Sequence, residues 1–419
     1  MADELIPTAV WGTGNIGRAA IRAVAARPGL ALCAVLVHDP AKVGRDAGEL
    51  AGLGCALGVA AALAPSAGTG AAAAGAAGAG AATTGAAAGA AGAGAATAAS
   101  SAAGSAGSAG SAASAASAAS DVEAALGGAR AVVYAASGDV RPEEALDDVV
   151  RAVRAGAIVV TPALYAFYDP RSAPPDQRER VLAAVAEGGG SLFASGVDPG
   201  WANDVLPLMM TGLGSRIEAV RCQEIFDYST YDQEDSVRYL VGMGQPMEYE
   251  PLMTAPGVPT MVWGGQIRLM ARALGAQLSG ISEHVERAAL GEDVETATMG
   301  KFAAGTQGGV RFEVRGEVGG VARIVIEHVT RIHGSVAPEW PQAPDGVGAH
   351  RVVIEGRPRI EVTIEAADEG GNRSAGGNAT AVGRLVGTID WLAGQAPGVY
   401  DALDVPVAPA FGIWEDGTQ

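Results

Sequence analysis

The chain has 419 residues, with 28 Lys and Arg against 46 Asp and Glu, for a formal net charge of −18. Such a balance offers no basic face and argues against nucleic acid or an anionic membrane as partner. Three scattered cysteines, Cys33, Cys55 and Cys222, form no C-x-x-C pair, so neither a disulfide framework nor a thiolate metal site is signalled and no metal is expected. No leader is read ahead of the first strand, and a reduced cytoplasmic setting is the expectation.

A short apolar run from Ile6 to Trp11 predicts a first strand. It leads into Gly12, Thr13, Gly14, Asn15, Ile16 and Gly17, which fit G-x-G-x-x-G, followed by a helical spacing from Arg18 to Arg27. In a strand–turn–helix of this kind the first glycine permits the tight turn. The second lets a pyrophosphate approach the backbone, and the third lets helix and strand pack closely. The helix then presents free N–H groups and a positive dipole end to the phosphates. Ala31–Val37 reads as a second strand, Ala47–Leu53 as a short helix and Val59–Leu63 as a third strand.

Residues 67–120 contain only Ala, Gly, Ser and Thr. Without charge, bulk or an apolar period they cannot offset their ordering entropy, so a disordered surface insertion is expected. Beyond it, Ser120 to Glu123 fits a capping box. Ala131–Ala136, Ala157–Thr161 and Ser191–Ser195 read as buried strands, and Pro142–Ala155 and Pro175–Glu187 as helices. This alternation predicts an α/β fold with a doubly wound parallel sheet. From about Trp201 the rhythm changes to period-two runs at Arg216–Phe226, Val310–Val318, Ala322–Thr330, His350–Glu355 and Arg359–Glu365, with helices at Thr260–Leu274 and Asn378–Leu392. A second, α+β domain with a largely antiparallel sheet is expected. One face of such a sheet needs cover, which predicts a homodimer or higher homo-oligomer.

Asp39 lies 22 positions after Gly17, near the spacing at which an acid takes the ribose hydroxyls of NAD. Lys42 and Arg45 just beyond suit the extra phosphate of NADP, so the choice between the two stays open; His38 belongs to the same loop. Ligands lie at the carboxyl ends of such strands. This marks Ala136, Ser137 and Gly138, then Pro162 with Tyr165 and Tyr168, and then Asp198, Pro199, Gly200, Trp201, Asn203 and Asp204. Tyr165, Tyr168 and Asp198 are the candidate proton-handling groups. The last two of these residues, Asn203 and Asp204, equally suit a helix start. Glu224 and Asp227 end a strand beside aromatic residues and fit a pocket for an amine-bearing ligand or an oligomer contact. His328 and His333 face opposite sides of a strand, so they share no metal; either suits acid–base work in a cleft or a structural role.

Three segments, Gly12–Gly17, Val37–Leu50 and Gly196–Pro207, resemble dihydrodipicolinate-reductase-like oxidoreductases, nearest to the group of 2,4-diaminopentanoate dehydrogenase and the NAD(P)-dependent amine dehydrogenases. The resemblance spans nearly all the chain outside 67–120. It implies a Rossmann domain over 1–200, a substrate and oligomerisation domain over 201–376, and a C-terminal helix and tail over 377–419 packing back on the nucleotide domain. It also implies hydride transfer between a nicotinamide cofactor and a C=N carbon in a cleft between the domains; the residues read above as candidates to meet the substrate there are Pro199, Gly200, Trp201, Asn203, Glu224 and His328. One departure matters. The family's loop glutamate is absent from Thr161–Tyr168, where no acid precedes Asp169, so that acid–base role is not carried over. Reduction of an aldehyde or ketone, and a non-catalytic dinucleotide sensor, remain alternatives.

Overall fold

The computed structural model describes residues 5–65, 121–138, 141–231, 233–410 and 412–414. The low-complexity tract expected to be disordered lies outside them, as does Ser120 of the capping box. In chain order the first half runs β1 (Ile6–Trp11), α1 (Asn15–Ala26), β2 (Leu30–Val37), α2 (Ala47–Ala51), β3 (Ala61–Leu63), α3 (121–126), β4 (Ala131–Tyr134), α4 (Pro142–Arg154), β5 (Ile158–Thr161), α5 (Pro175–Gly188) and β6 (Ser191–Ala194). The strands pair in parallel in the order β6-β5-β4-β1-β2-β3. That is the doubly wound sheet the alternation predicts. Helix α4 shows why the pattern was readable: Pro142 opens it, Glu143 and Glu144 sit in the first turn, and Arg151 and Arg154 in the last. Each charge complements the helix dipole.

The chain then enters α6 (Val205–Thr211), β7 (Arg216–Asp227), α7 (Val258–Ala273), β8 (Gly280–Ala289), β9 (Val294–Thr296), β10 (Gly300–Phe302), β11 (Gln307–Val318), β12 (Val321–Arg331), β13 (Gly348–Arg357) and β14 (Ile360–Ile364). Six of these strands form a second sheet in the order β14-β13-β7-β12-β11-β8. All its pairs are antiparallel except β7 with β12. Gly319 and Gly320, both at positive φ, turn β11 into β12, as the Gly-Gly pair predicts. Strand β8 was not visible in the sequence. It lies at the sheet edge, and Ser282, Glu283, His284 and Glu286 break its apolar alternation.

The last elements return to the beginning. Helix α8 (Arg373–Ala393) lies along α1 against the parallel sheet, and β15 (Val399–Tyr400) pairs in parallel with β6 at that sheet's edge. Val382, Leu385 and Ile389 of α8 share a core with Ile16, Ile21 and Val24 of α1; the opposite face is packed by α3, α4 and α5. In the second sheet the inner face packs Val310, Phe312, Ile324 and Ile326 against Trp263, Ile267 and Met270 of α7. Its outer face instead carries Arg221, Arg311 and Arg315 paired with Glu313 and Glu327. No helix among the described residues is long and apolar enough to cross a membrane.

Candidate active site

The glycine turn has the geometry of a nucleotide cradle. Gly12 has φ of 107°, and its N–H donates to the Leu36 carbonyl at 2.8 Å. A Cβ on Gly17 would lie 2.0 Å from the Gly12 carbonyl oxygen, so helix and turn touch backbone to backbone. No side chain caps α1, whose N-cap is Gly14. Thr13, Asn15 and Ile16 thus border a helix end whose N–H groups await an anion, and these residues fit a dinucleotide diphosphate.

The loop after β2 divides its charges. The Asp39 carboxylate accepts from the Ala41 N–H at 2.9 Å and caps a single 3₁₀ turn over Pro40–Lys42. Lys42 extends its Nζ to 3.4 Å from Thr13 Oγ1, over the glycine turn, while Arg45 is engaged with Glu49 at 2.8 Å. His38 lies 3.9 Å from Asp148, which also accepts from the Tyr134 hydroxyl at 3.0 Å and bonds Arg151.

The next two loops form a flat floor. A Cβ on Gly138 would lie 2.0 Å from the Ala163 carbonyl oxygen, and Thr161 Oγ1 donates to the Tyr134 carbonyl at 2.9 Å, locking the Ala135–Gly138 turn beside Pro162 and Ala163. Ala136 and Ser137 are half-buried on this floor. Tyr168 donates its hydroxyl to the Pro162 carbonyl at 3.1 Å, and its ring lies 6.0 Å from that of Tyr165. Asp169, the first acid of the segment, is buried and bound to Arg272 at 3.2 Å.

After β6 the loop turns inwards. Asp198 is buried and accepts three donors: Trp263 Nε1 at 2.6 Å, His328 Nε2 at 3.0 Å and Asn203 Nδ2 at 3.0 Å. Asp204, not Asp198, caps α6, and also accepts from Gln266 Nε2 at 2.8 Å. Gly200 has φ of 144° with Gly196 packed on it, and the Trp201 indole donates to Thr380 of α8 at 3.0 Å. The segment Asp198–Asp204, with Pro199 at its turn, thereby links the two sheets and α8.

Across the inner face of the second sheet, strand register sets three titratable side chains in one row. His328 pairs with Glu224, and Glu224 with His350. Glu224 Oε1 is 3.8 Å from His328 Nδ1 and Oε2 is 3.5 Å from His350 Nε2. Neither Glu224 oxygen has a hydrogen-bond partner among the described residues. Burial pushes the Glu224 carboxyl well up, against the pull of the His328 charge. Burial would raise Asp198 and lower His328, but their mutual charge and hydrogen bond outweigh it, holding Asp198 below the usual carboxylate range and His328 above the usual imidazole range. His328 is stacked on Phe312 at 4.6 Å, so it backs the row instead of facing open solvent. His333, past the end of β12, bonds Ser335 at the surface.

His350 was not singled out by sequence reasoning, since nothing along one strand reveals which residue pairs with it on the next. Burial lowers its pKa to about 4. A depressed histidine stabilises the fold above its unfolded value near 6.5 and loses that contribution as pH falls towards 4. This is worth about 3 kcal/mol across the window. His350→Gln is expected to remove that acid-side slope, read from urea unfolding at pH 7, 5.5 and 4.5. Beside the row lies a small cavity lined by Glu224, Phe226, Tyr228, Tyr231, His350 and Asn378. Tyr231 and Asn378 also border the groove that runs along α1, from Asn15 to Ala26, beside the first turns of α8.

A Rossmann-type parallel sheet with its glycine turn, joined to a second sheet that carries a buried polar row, is the fold of an oxidoreductase. Residues 201–415 match the C-terminal domain of 2,4-diaminopentanoate dehydrogenase. The chain is 62% identical over 410 residues to an amine dehydrogenase of Streptomyces virginiae, covering 97% of this chain and 98% of that one. It is 22% identical over 246 residues to a 2,4-diaminopentanoate dehydrogenase of Acetoanaerobium sticklandii, covering 58% of this chain and 64% of the other. An amine dehydrogenase structure from Mycobacterium smegmatis superposes with a TM-score of 0.65 at 16% identity over 97% of both chains. The chain belongs to the amine dehydrogenase family that includes the 2,4-diaminopentanoate dehydrogenases.

Proposed function

We propose that this oxidoreductase interconverts an amine and the corresponding imine or carbonyl compound with a nicotinamide dinucleotide. The observation that carries the reading is the uncapped amino end of α1, with its Gly12–Gly17 contact, in a chain whose second sheet buries a carboxyl, Glu224, without a hydrogen-bond partner among the described residues. Gly12–Gly17 would hold the diphosphate, the loop from His38 to Arg45 the adenosine ribose, and the Ala136–Gly138 and Pro162 floor the nicotinamide ring. A bound nicotinamide supplies the hydride acceptor or donor; the protein contributes orientation and exclusion of water. The aromatic walls Phe226, Tyr228 and Tyr231 suit a cationic substrate nitrogen, and the names of the relatives support an amine.

A second reading, reduction of a carbonyl compound without ammonia, is favoured by the Pro162–Tyr168 loop, which carries no acid, and by the commitment of Asp169 to Arg272. Titration with NADH and NADPH, followed by tryptophan fluorescence and melting temperature, is expected to show saturable binding of at least one nucleotide. With that nucleotide, primary alkylamines are expected to be oxidised and carbonyl compounds to be reduced only when ammonium is present. Carbonyl reduction independent of ammonium would select the second reading. Failure of both nucleotides to bind would reject both.

A further inference from the structure

Of the candidate proton-handling groups, Tyr168 is engaged with the Pro162 carbonyl and Asp198 with three N–H donors, while the inner face of the second sheet holds a further buried carboxyl. Resting on the amine reading above, we infer that Glu224 is the acid–base group, exchanging a proton with the substrate nitrogen, and that His328 and Asp198 are positioning residues that store that proton behind it.

Three observations converge on Glu224. Its side chain is 1% exposed, yet both oxygens lack a hydrogen-bond partner among the described residues. A buried carboxyl left unsatisfied costs several kcal/mol, about 1–3 or more per group, so its retention at this position calls for a ligand. Glu224 also lines a small cavity that shares Tyr231 and Asn378 with the groove along α1 and α8. Finally, its other neighbour is an imidazole whose far nitrogen already donates to a carboxylate. This is a carboxyl–imidazole–carboxylate series, in which Asp198 takes the Nε2–H of His328 and, above the raised pKa of that imidazole, leaves Nδ1 as the acceptor facing Glu224. The 3.8 Å gap between Oε1 and Nδ1 closes to hydrogen-bond range with a shift of about 1 Å.

In the direction of amine oxidation, at a pH above the raised values of both Glu224 and His328, the Glu224 carboxylate removes a proton from the substrate ammonium. The N–H bond breaks, its electron pair stays on nitrogen, and an O–H bond forms on Glu224. The proton then passes to His328 Nδ1, and Asp198 balances the imidazolium. In the reverse direction the same proton returns to the nitrogen, and no electron moves in either transfer. A metal is the rival occupant, because Asp198, Glu224 and His328 each place one donor atom within 4.8 Å of the others. Asp198, however, already receives three N–H donors, Trp263 among them at 2.6 Å. Those donors point at the oxygens a cation would need.

The titratable groups facing Glu224 are His328 on β12, His350 on β13, Tyr228 and Tyr231 after β7, and Asp198 behind His328. The test is a pH profile of kcat and kcat/KM for a primary alkylamine, with wild type, Glu224→Gln and Glu224→Asp. Melting temperature and nucleotide affinity serve as controls for folding. Expected are a loss of about 100-fold or more in kcat for Glu224→Gln, unchanged nucleotide affinity, loss of the basic-form limb of the profile, and partial recovery in Glu224→Asp. A Glu224→Gln rate within threefold of wild type, or an unaltered profile, overturns the assignment while leaving the amine reading intact. Wild type that binds nucleotide but oxidises no amine overturns the amine reading itself, and this assignment with it. Stoichiometric metal by elemental analysis, lost in Glu224→Gln and required for turnover, would make Glu224 a ligand and also overturn it. If Glu224→Gln fails to fold, the Glu224→Asp profile decides alone: an unshifted limb rejects the role.

Discussion

Replacing Gly17 by valine will abolish nucleotide binding and destabilise the protein by about 3 kcal/mol or more. Even the first added carbon would sit 2.0 Å from the Gly12 carbonyl oxygen, and that oxygen belongs to backbone, which cannot rotate aside. Gly12 itself cannot retreat, because its own Cβ position lies 2.8 Å from the Ala135 backbone at the end of β4. Relief therefore requires α1 to move off the sheet. That motion pulls Ile16 and Ile21 from their shared core with α8 and turns the free N–H groups away from the phosphates. Melting temperature and fluorescence titration with the preferred nucleotide measure both effects. A variant that still binds with unchanged affinity would show that the diphosphate lies elsewhere.

Asp198→Ala carries the second large expectation, a loss of about 3–5 kcal/mol. The substitution strands the N–H groups of Trp263, His328 and Asn203 in a site without water access. Asp198→Asn keeps one acceptor oxygen and should cost less. The pH dependence follows from the directions of the two shifts. The depressed Asp198 carboxyl stabilises above its unfolded value and loses this as pH falls through its folded pKa. The raised His328 imidazole stabilises fully below its unfolded value and loses this as pH rises through its folded pKa. Their joint contribution is therefore fullest between about pH 4 and pH 6.5. Denaturant unfolding from pH 4 to 9 should show that maximum in wild type and a flatter curve in Asp198→Ala; parallel curves would reject the coupling.

The parallel sheet was legible because most of its strands are short, largely apolar runs set between helical spacings, and some helices carry their own end signals. Helix α4, with proline, acids and arginines in order, is the clearest case. The second sheet was legible where period two is clean, as in β12, and illegible in β8, where charge and apolar residues mix on an edge. The loops after β4 and β5 were marked by rule, since ligands gather at the carboxyl ends of parallel strands. The row His328–Glu224–His350 had no such rule. Glu224 and His328 stand out as polar residues within apolar strands, but their meeting with His350 depends on the pairing of β12, β7 and β13, which are distant in the chain. Nor could spacing reveal that Asp39 spends its carboxylate on a turn, or that Asp198 faces three donors. These are properties of packing, which one-dimensional patterns do not encode.

The return of the chain to its own beginning bears on synthesis. The nucleotide-binding half emerges from the ribosome first, yet the face that includes Val133 and Phe193, covered in part by α1, gains the rest of its cover only when residues 373–400 arrive. Over that interval an apolar surface and an unpaired strand edge at β6 are exposed to other nascent chains, the condition under which proteins aggregate or recruit chaperones. Deleting the chain from Arg373 onward would make that transient state permanent, so residues 1–372 expressed alone should be less soluble than the full chain, as a sedimentation assay of the two lysates would show.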